Sequence, residues 1–268
     1  MCFDHDSRPP IAPIAGGAID AGPLTLQSED GSSFRAFHAW PAQPTGAGIL
    51  ILPDVRGLHP YYEELALRYA EHGIEAVAID YFGRTAGTEP RDADFDYQPH
   101  VAELKWANVS GEIKAGVARL RASERPPRSL FSTGFCVGGR LASLSATLGL
   151  GLAGVIPYYG WPVGPNRDLP APADVADKIE CAVLSIYGGA DERLDAGVRD
   201  TYDKALEKAG VEHKTVVYPG APHSFFDRKA EEYSAASEGA WKETLAFIRR
   251  HTAGQPIAAR ADAKRTTT

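Results

Sequence analysis

The stretch Gly134-Phe135-Cys136-Val137-Gly138-Gly139 decides how this chain folds. It follows the apolar run Ser129-Leu130-Phe131-Ser132-Thr133, which predicts a buried strand, and it precedes Leu141, Leu144 and Leu148, whose spacing predicts a helix. A turn this sharp leaves no room for side chains two residues before or two residues after its centre, and glycine occupies both positions. The turn therefore presents the Cys136 thiol at the carboxyl end of a strand and at a helix N-terminus, which favours a thiolate. Glycines between a strand and a helix also occur where the two elements simply pack closely, and free cysteine is often buried. The motif alone therefore leaves catalytic and structural interpretations of Cys136 open.

Short apolar runs alternate with helical patterns along most of the chain. Unbroken runs such as Ile49-Leu50-Ile51-Leu52 are typical of strands buried on both faces. Strands are predicted over residues 34–40, 48–52, 74–79, 129–134, 154–158, 182–187 and 214–218. Helices are predicted from the apolar stripes Tyr62, Leu65, Ala66 and Tyr69; Val109, Ile113, Val117 and Leu120; Val198, Tyr202 and Leu206; and Trp241, Leu245 and Ile248. This alternation predicts an α/β fold with a mostly parallel, twisted sheet and helices on both of its faces.

The two ends of the chain differ in composition from the middle. Residues 1–22 are rich in proline, glycine and alanine, and we expect them to form an N-terminal extension. Residues 23–252 carry the alternating pattern without a linker or a repeat and are predicted to form one domain. The polar tail, residues 253–268, is predicted to be disordered. Residues 160–178 are few and rich in proline, so no helical cap domain is expected.

Composition places the chain among ordinary globular proteins. Hydrophobic residues make up 44% and charged residues 24%, and the formal net charge of -7 argues against a nucleic-acid partner. No apolar run approaches the roughly 20 residues that span a bilayer, so no membrane partner is expected. The three cysteines, Cys2, Cys136 and Cys181, do not form a disulfide framework pattern. With the polar start of the chain, they favour a reducing, cytoplasmic location; the oligomeric state stays open, and a monomer is compatible.

Polar residues follow several predicted strands, and the carboxyl ends of parallel strands meet at one edge of a sheet. A cysteine nucleophile needs a base and a residue that orients the base. Asp191 follows the strand at 182–187 and His223 follows the strand at 214–218, so the order along the chain is nucleophile, acid, histidine. The alternative candidates are Glu192, Asp195 and His59. Because no His-x-His, His-Glu-x-x-His or Cys-x-x-Cys spacing is present, neither a metal nor another cofactor is expected.

Five further segments stand at the ends of predicted strands or beside them. They are Leu52-Pro53-Asp54-Val55-Arg56-Gly57-Leu58, Asp80-Tyr81-Phe82-Gly83-Arg84, Pro157-Tyr158-Tyr159-Gly160, Gly188-Gly189-Ala190-Asp191 and His223-Ser224-Phe225. Together with the Cys136 turn, they resemble the dienelactone hydrolase (carboxymethylenebutenolidase-like) family over about residues 23–250. The cysteine in the turn makes the resemblance specific, because most other families with the α/β-hydrolase fold carry serine there.

This resemblance implies the α/β-hydrolase fold and a cysteine-dependent hydrolase of small esters or lactones. Cys136 would form a thiol ester, while His223, oriented by Asp191, would activate the thiol and then a water molecule. Backbone N–H groups of Val137 and Val55 would hold the oxyanion. Two alternatives remain open: a carboxylesterase of the same fold that acts on unrelated esters, and a non-enzymatic ligand-binding or redox-responsive protein that uses Cys136 as a sensor.

The resemblance also implies residues that contact the thiol or the substrate. Asp54 stands where the family has a glutamate that holds the resting thiol, although a loop cap is its alternative role. Arg84 matches one of two arginines that bind a substrate carboxylate in the family, and Arg228 lies one residue beyond the position of the second, which is Asp227 here. The other expected substrate-binding residues, which would line an open cleft, are Arg56, Tyr81, Phe82 and Trp161.

Overall fold

One eight-stranded sheet forms the centre of the computed structural model, which describes residues 3–252 and, at Ile19, the backbone alone. The strands are β1 (Ala18–Gln27), β2 (Ser33–Pro41), β3 (Ala47–Leu52), β4 (Ile74–Ile79), β5 (Ser129–Phe135), β6 (Gly154–Tyr158), β7 (Ala182–Gly188) and β8 (His213–Tyr218). They lie in the order β1-β2-β4-β3-β5-β6-β7-β8. β2 is antiparallel to both of its neighbours, β1 and β4, and all other neighbouring strands are parallel. The predicted, mostly parallel sheet is confirmed.

Helices cover both faces of the sheet, as the apolar stripes predict. Within residues 3–252 the α-helices are α1 (Pro60–Glu71), α2 (Gly83–Ala86), α3 (Gln98–Ala102), α4 (Trp106–Arg121), α5 (Val137–Ser145), α6 (Ala196–Ala209) and α7 (Ser234–His251). Side chains of a strand alternate between the two faces. Ile49 and Ile51 of β3 accordingly belong to the core under α1 and α7, whereas Leu50 and Leu52 belong to the core under α4, α5 and α6.

β1 is the strand that the sequence pattern does not predict. Gly22 and Pro23 interrupt it, and both residues weaken a strand assignment. β1 pairs only with β2, so it forms an edge of the sheet, where a proline without an N–H group is tolerated. The strand crosses the predicted boundary between residues 22 and 23, so residues 18–22 belong to the sheet. The tail predicted at residues 253–268 lies outside the described residues.

The segment between β6 and β7 contains no α-helix, in agreement with the expected lack of a cap domain; its helical part is a 3-10 turn at Pro172–Lys178. One buried side chain of α5, Arg140, holds this segment in place. The Arg140 guanidinium donates hydrogen bonds to five backbone carbonyls, at 2.8–3.4 Å, and its partners are Trp161, Val163, Gly164, Leu169 and Pro170. Burial lowers the pKa of Arg140 to about 10, which leaves the side chain protonated at neutral pH.

Candidate active site

The turn between β5 and α5 has the strained geometry that the glycine pattern predicts. Cys136 at its centre has φ 57 and ψ -116, a conformation that residues with a side chain rarely adopt. A Cβ atom on Gly134 would lie 2.0 Å from the carbonyl oxygen of Gly138. A Cβ atom on Gly138 would lie 2.1 Å from the carbonyl oxygens of Leu52 and Pro53. The chain therefore tolerates only glycine at both positions and holds Cys136 in a fixed orientation at the sheet edge.

Backbone strain is concentrated at this edge. Four non-glycine residues among 3–252 have a positive φ, and three of them, Cys136, Tyr159 and Ser224, follow the ends of β5, β6 and β8. Residues held in such conformations persist only when the surrounding structure fixes them, and they cluster at functional sites. The Cys136 N–H donates to the carbonyl of Tyr158 at 3.1 Å, and the Tyr159 ring packs on His223 with centroids 4.9 Å apart. Tyr159, part of the segment Pro157-Tyr158-Tyr159-Gly160, thus links the turn to the histidine.

Asp191 and His223 lie side by side after β7 and β8. His223 Nδ1 is 2.6 Å from Asp191 Oδ2, and the N–H group of Arg193 donates to Asp191 Oδ1 at 3.2 Å. Burial favours a raised pKa for the Asp191 carboxyl, but the hydrogen bond and charge of His223 outweigh burial, and the pKa is lowered. An ionised Asp191 accepts a hydrogen bond from the Nδ1–H group, which leaves Nε2 of His223 as the ring atom able to take a proton from a nucleophile.

The loops that carry these two residues are tied to each other by their backbones. The N–H group of Ala190 donates to the carbonyl of Ala221 at 2.9 Å, and that of Gly189 donates to the carbonyl of Tyr218 at 2.7 Å. A Cβ atom on Gly188 would lie 2.3 Å from the carbonyl oxygen of Ala221, so the loops are in close contact. This packing fixes the carboxylate and the imidazole relative to each other before any substrate binds.

The two predicted oxyanion donors stand on neighbouring parts of the sheet edge. Val137 is the first residue of α5, and the first N–H groups of a helix have no acceptor within the helix. Val55 lies in the turn after β3, and the register of β3 with β5 places Leu52 opposite Gly134. The turn that carries Val55 therefore lies next to the turn that carries Cys136.

Tyr81 supports the Val55 turn from inside the protein. Its side chain is buried, and its hydroxyl contacts the carbonyl oxygens of Pro53, at 2.8 Å, and Asp54. The neighbouring Phe82 is buried as well and packs edge-on against Tyr81. The predicted contact of these two rings with substrate therefore gains no support from their positions. Trp161, which is half-buried, follows β6 at the same edge of the sheet.

Asp54 is buried and its two carboxyl oxygens each accept a backbone hydrogen bond. Oδ1 accepts from the N–H of Arg56 at 2.9 Å, and Oδ2 accepts from the N–H of Phe3 at 3.0 Å. Burial raises the pKa of Asp54 to about 6, against the lowering effect of these hydrogen bonds. This arrangement fits the alternative role of a loop cap. His59, the other candidate in this loop, is buried with its Nε2 3.9 Å from Asp54 Oδ1, and burial lowers the pKa of His59 to about 3.

Residues 3–11, which we call the amino-terminal strap, cross this edge of the sheet. The Phe3 ring is buried against Tyr61, with centroids 3.9 Å apart, and against Phe135, the residue before Cys136. Further along the strap, Arg8 donates its N–H to Asp227 Oδ1 and accepts from the N–H of Arg228. The strap therefore runs from the Val55 turn to the loop that follows His223. Its composition, mostly polar residues and proline, gave no signal of this beyond the apolar ring of Phe3.

The three predicted substrate-binding arginines are engaged by groups of the chain itself. Arg84 forms ion pairs with Asp30, at 2.6 Å, and with the buried Glu112, at 3.0 Å. Burial raises the pKa of Glu112 to about 7 despite this pairing.

The other two arginines contact the strap. Arg56 pairs with Asp4 at 3.3 Å, and Arg228 donates to Glu64 at 2.9 Å and to the carbonyl of Pro9 at 3.2 Å. The structure thus brings all three into internal contacts and offers no support for a carboxylate pocket built from them.

The side chains at this edge can perform nucleophilic and acid–base chemistry. No group of three or more His, Cys, Asp or Glu among residues 3–252 has the geometry to hold a metal ion. Over the same part of the chain, no helix combines the length and the apolar character needed to cross a bilayer.

The sequence and the fold agree with those of known proteins. The chain matches the model of the "Dienelactone hydrolase family" over residues 34–252. It is 29% identical over 250 residues to a "Putative carboxymethylenebutenolidase" of Methylorubrum extorquens, covering 90% of this chain and 84% of that relative. It is 26% identical to a "Probable 2-oxo-3-(5-oxofuran-2-ylidene)propanoate lactonase" of Bradyrhizobium sp, and the match covers 84% of this chain and 94% of that relative. The crystal structure of a "Putative Dienelactone Hydrolase" from Klebsiella pneumoniae superposes with a TM-score of 0.77 at 25% identity, covering 86% of this chain and 98% of that one.

The chain belongs to the dienelactone hydrolase family and has the α/β-hydrolase fold. It is an enzyme of the hydrolase class, which removes the non-enzymatic alternative left open by the sequence.

Proposed function

We propose that this enzyme hydrolyses small esters or lactones through a thiol ester on Cys136. The observation that carries the proposal is the 2.6 Å contact between His223 and Asp191, at the same sheet edge as the strained turn that presents Cys136. The names of two relatives, a carboxymethylenebutenolidase and a lactonase, support lactones as the substrate class. The second candidate, a carboxylesterase for unrelated esters, would use the same residues.

The reaction would proceed in two halves. In the first, the Cys136 sulfur forms a bond to the carbonyl carbon while His223 Nε2 takes the thiol proton. The tetrahedral intermediate then expels the alcohol oxygen, which receives that proton from His223. In a lactone this alcohol stays attached to the acyl group.

In the second half, His223 Nε2 removes a proton from water as the water oxygen attacks the thiol ester carbon; the tetrahedral intermediate then expels the Cys136 sulfur, which receives that proton from His223, and the free acid is the product. Asp191 stabilises the imidazolium that forms in each half. The N–H groups of Val137 and Val55 would donate to the oxyanion, and the loss of one such donor typically costs roughly 10²–10³ in rate. The thiol must stay reduced, which is consistent with a cytoplasmic setting.

The test compares Cys136→Ala and His223→Ala with the wild type on para-nitrophenyl acetate and on a small unsaturated lactone. We expect kcat to fall by at least about 10³-fold in both variants. Rapid quenching of the wild type should give a protein whose mass is increased by one acyl group located on Cys136.

The matched control is Cys181→Ala. Cys181 is buried, and burial raises the pKa of its thiol to about 12, so it has little thiolate character. Its variant should retain the wild-type turnover. Equal turnover in Cys136→Ala and the wild type would overturn the proposal, and a panel of lactones against simple aryl esters would separate the two candidate substrate classes.

A further inference from the structure

The amino-terminal strap carries carboxylates to cations on both sides of the site. Asp4 Oδ1 lies 3.3 Å from Arg56 Nη2, and Asp6 Oδ1 accepts a hydrogen bond from Lys229 Nζ at 2.7 Å. Lys229 Nζ is also 3.9 Å from Asp4 Oδ2. The two acids of the strap therefore neutralise one cation in the turn after β3 and another in the loop after His223.

Both cations stand close in sequence to reacting groups. Arg56 directly follows Val55, whose N–H is a proposed oxyanion donor, and the Asp54–Phe3 hydrogen bond anchors the strap at this turn. Lys229 belongs to the loop of His223, where the Arg8 backbone ties the strap to Asp227 and Arg228. An anionic group of a bound substrate would be attracted to these cations if the strap did not already pair them.

Two other predicted substrate-binding arginines are also paired. Arg84 is held by Asp30 and the buried Glu112, and Arg228 by Glu64 and Pro9. To bind one of these four cations, a substrate carboxylate would have to displace an internal carboxylate that is tethered to the chain and so has a high effective concentration.

We propose that the strap carboxylates Asp4 and Asp6 screen the active site against anionic substrates, so that this enzyme selects uncharged small esters and lactones. The inference rests on the proposed function and names the charge class of its substrates. It assigns the strap a role in specificity: Asp4 and Asp6 act through Arg56 and Lys229 and take no part in bond making or breaking.

The experiment compares two para-nitrophenyl esters with the same leaving group, the uncharged hexanoate and the mono-ester of adipate, which carries a terminal carboxylate. The wild type should prefer the hexanoate in kcat/KM. In Asp4→Asn/Asp6→Asn, the adipate-to-hexanoate ratio of kcat/KM should rise about fivefold, the size expected for freeing exposed charge pairs. This gain should appear mainly in KM for the adipate ester and should shrink as salt is added.

Two further variants make the result specific. Adding Arg56→Gln and Lys229→Gln to the strap variant should return the ratio to the wild-type value, because the freed cations are gone. Glu238→Gln/Glu243→Gln changes the net charge equally on α7, where these acids pair with Lys242 and Lys214, and should leave the ratio unchanged.

The outcomes separate the two proposals. If the wild type hydrolyses both esters through Cys136 and the strap variant keeps the wild-type ratio, the screening role is wrong and the proposed function stands. If Cys136→Ala hydrolyses the esters as fast as the wild type, the proposed function fails and the screening role fails with it. Thermal unfolding of each variant checks that the fold is retained.

Discussion

Asp191 Oδ2 lies 2.6 Å from His223 Nδ1, although the two residues are 32 positions apart in the chain. The Arg193 N–H holds the other carboxyl oxygen, so both oxygens of Asp191 are engaged before substrate arrives. The carboxylate therefore fixes which face and which tautomer of the imidazole the site presents. This relationship leads to the first of four predictions.

Asp191→Asn should lower kcat by about 10³-fold or more, because the neutral amide no longer stabilises the imidazolium or favours the required tautomer. Stopped-flow or steady-state hydrolysis of an aryl ester measures the change. Asp195→Asn is the matched control. Asp195 caps α6 by accepting from the Val198 N–H at 2.9 Å, and asparagine caps a helix equally well, so kcat should stay at the wild-type value. A similar loss in both variants would remove Asp191 from the catalytic role.

Gly138→Ala should lower kcat by about 10²-fold, because the new Cβ would displace the carbonyls of Leu52 and Pro53 and with them the turn that carries Val55. Gly22→Ala is the control, since no atom lies within 4 Å of a Cβ built at Gly22. Its kcat and unfolding free energy should stay near the wild-type values. Wild-type kinetics in Gly138→Ala would show that the close approach of the two turns has no part in catalysis.

Arg84→Gln should destabilise the protein in a pH-dependent way while kcat/KM for an uncharged ester stays within about threefold. Burial raises the pKa of Glu112 to about 7, so its contribution to stability is present at low pH and is lost as pH rises through about 7. Removal of Arg84 leaves the ionised Glu112 buried without its cation. We expect a loss of about 2 kcal/mol at about pH 8.5 and a much smaller loss near pH 5.

Urea unfolding at the two pH values measures this difference. In the Glu112→Gln background, Arg84→Gln should have the same small effect at both pH values, because the titrating group is gone. A substantial rise in KM for a neutral ester, without a change in stability, would instead place Arg84 in substrate binding.

Arg140→Met should cost about 3–5 kcal/mol, because five carbonyl oxygens lose their donor and the methionine stem replaces a buried cation. Residues 160–178 should become the first site of cleavage in limited proteolysis. Arg167→Gln, an exposed arginine of the same segment whose bond goes to its neighbour Asn166, should change neither stability nor cleavage. Resistance of Arg140→Met to proteolysis would contradict this assignment.

Local sequence patterns were sufficient to predict the central strands and the order of the candidate nucleophile, acid and histidine along the chain. The runs at β3 and β4 are fully buried, and such strands have a clear apolar signature. The glycine spacing around Cys136 predicts its turn because only backbone contacts within the turn and with β3 decide it. Edge strand β1 lacks both signals, since half of it faces solvent and Pro23 interrupts it.

Sequence patterns do not predict which side chains from distant parts of the chain contact each other. Arg84 matches the position of a substrate-binding arginine, yet its partners Asp30 and Glu112 come from other elements and are 54 and 28 residues away. The burial of Phe3 depends on Tyr61 and Phe135, which only the folded sheet brings together. Charge pairing and aromatic packing of this kind follow from topology, and no local spacing encodes them.

The anchoring of Phe3 by Asp54 has a practical consequence for producing the enzyme. Phe3 donates its N–H to Asp54 and packs its ring on Phe135, so we expect an affinity tag joined ahead of Phe3 to disturb the turn that holds Val55. Thr252 lies near Thr45 and Ile74, at the opposite ends of the parallel strands. Recombinant protein intended for kinetic work should therefore carry its tag at the carboxyl terminus, and a tag at the amino terminus should be cleaved before assay.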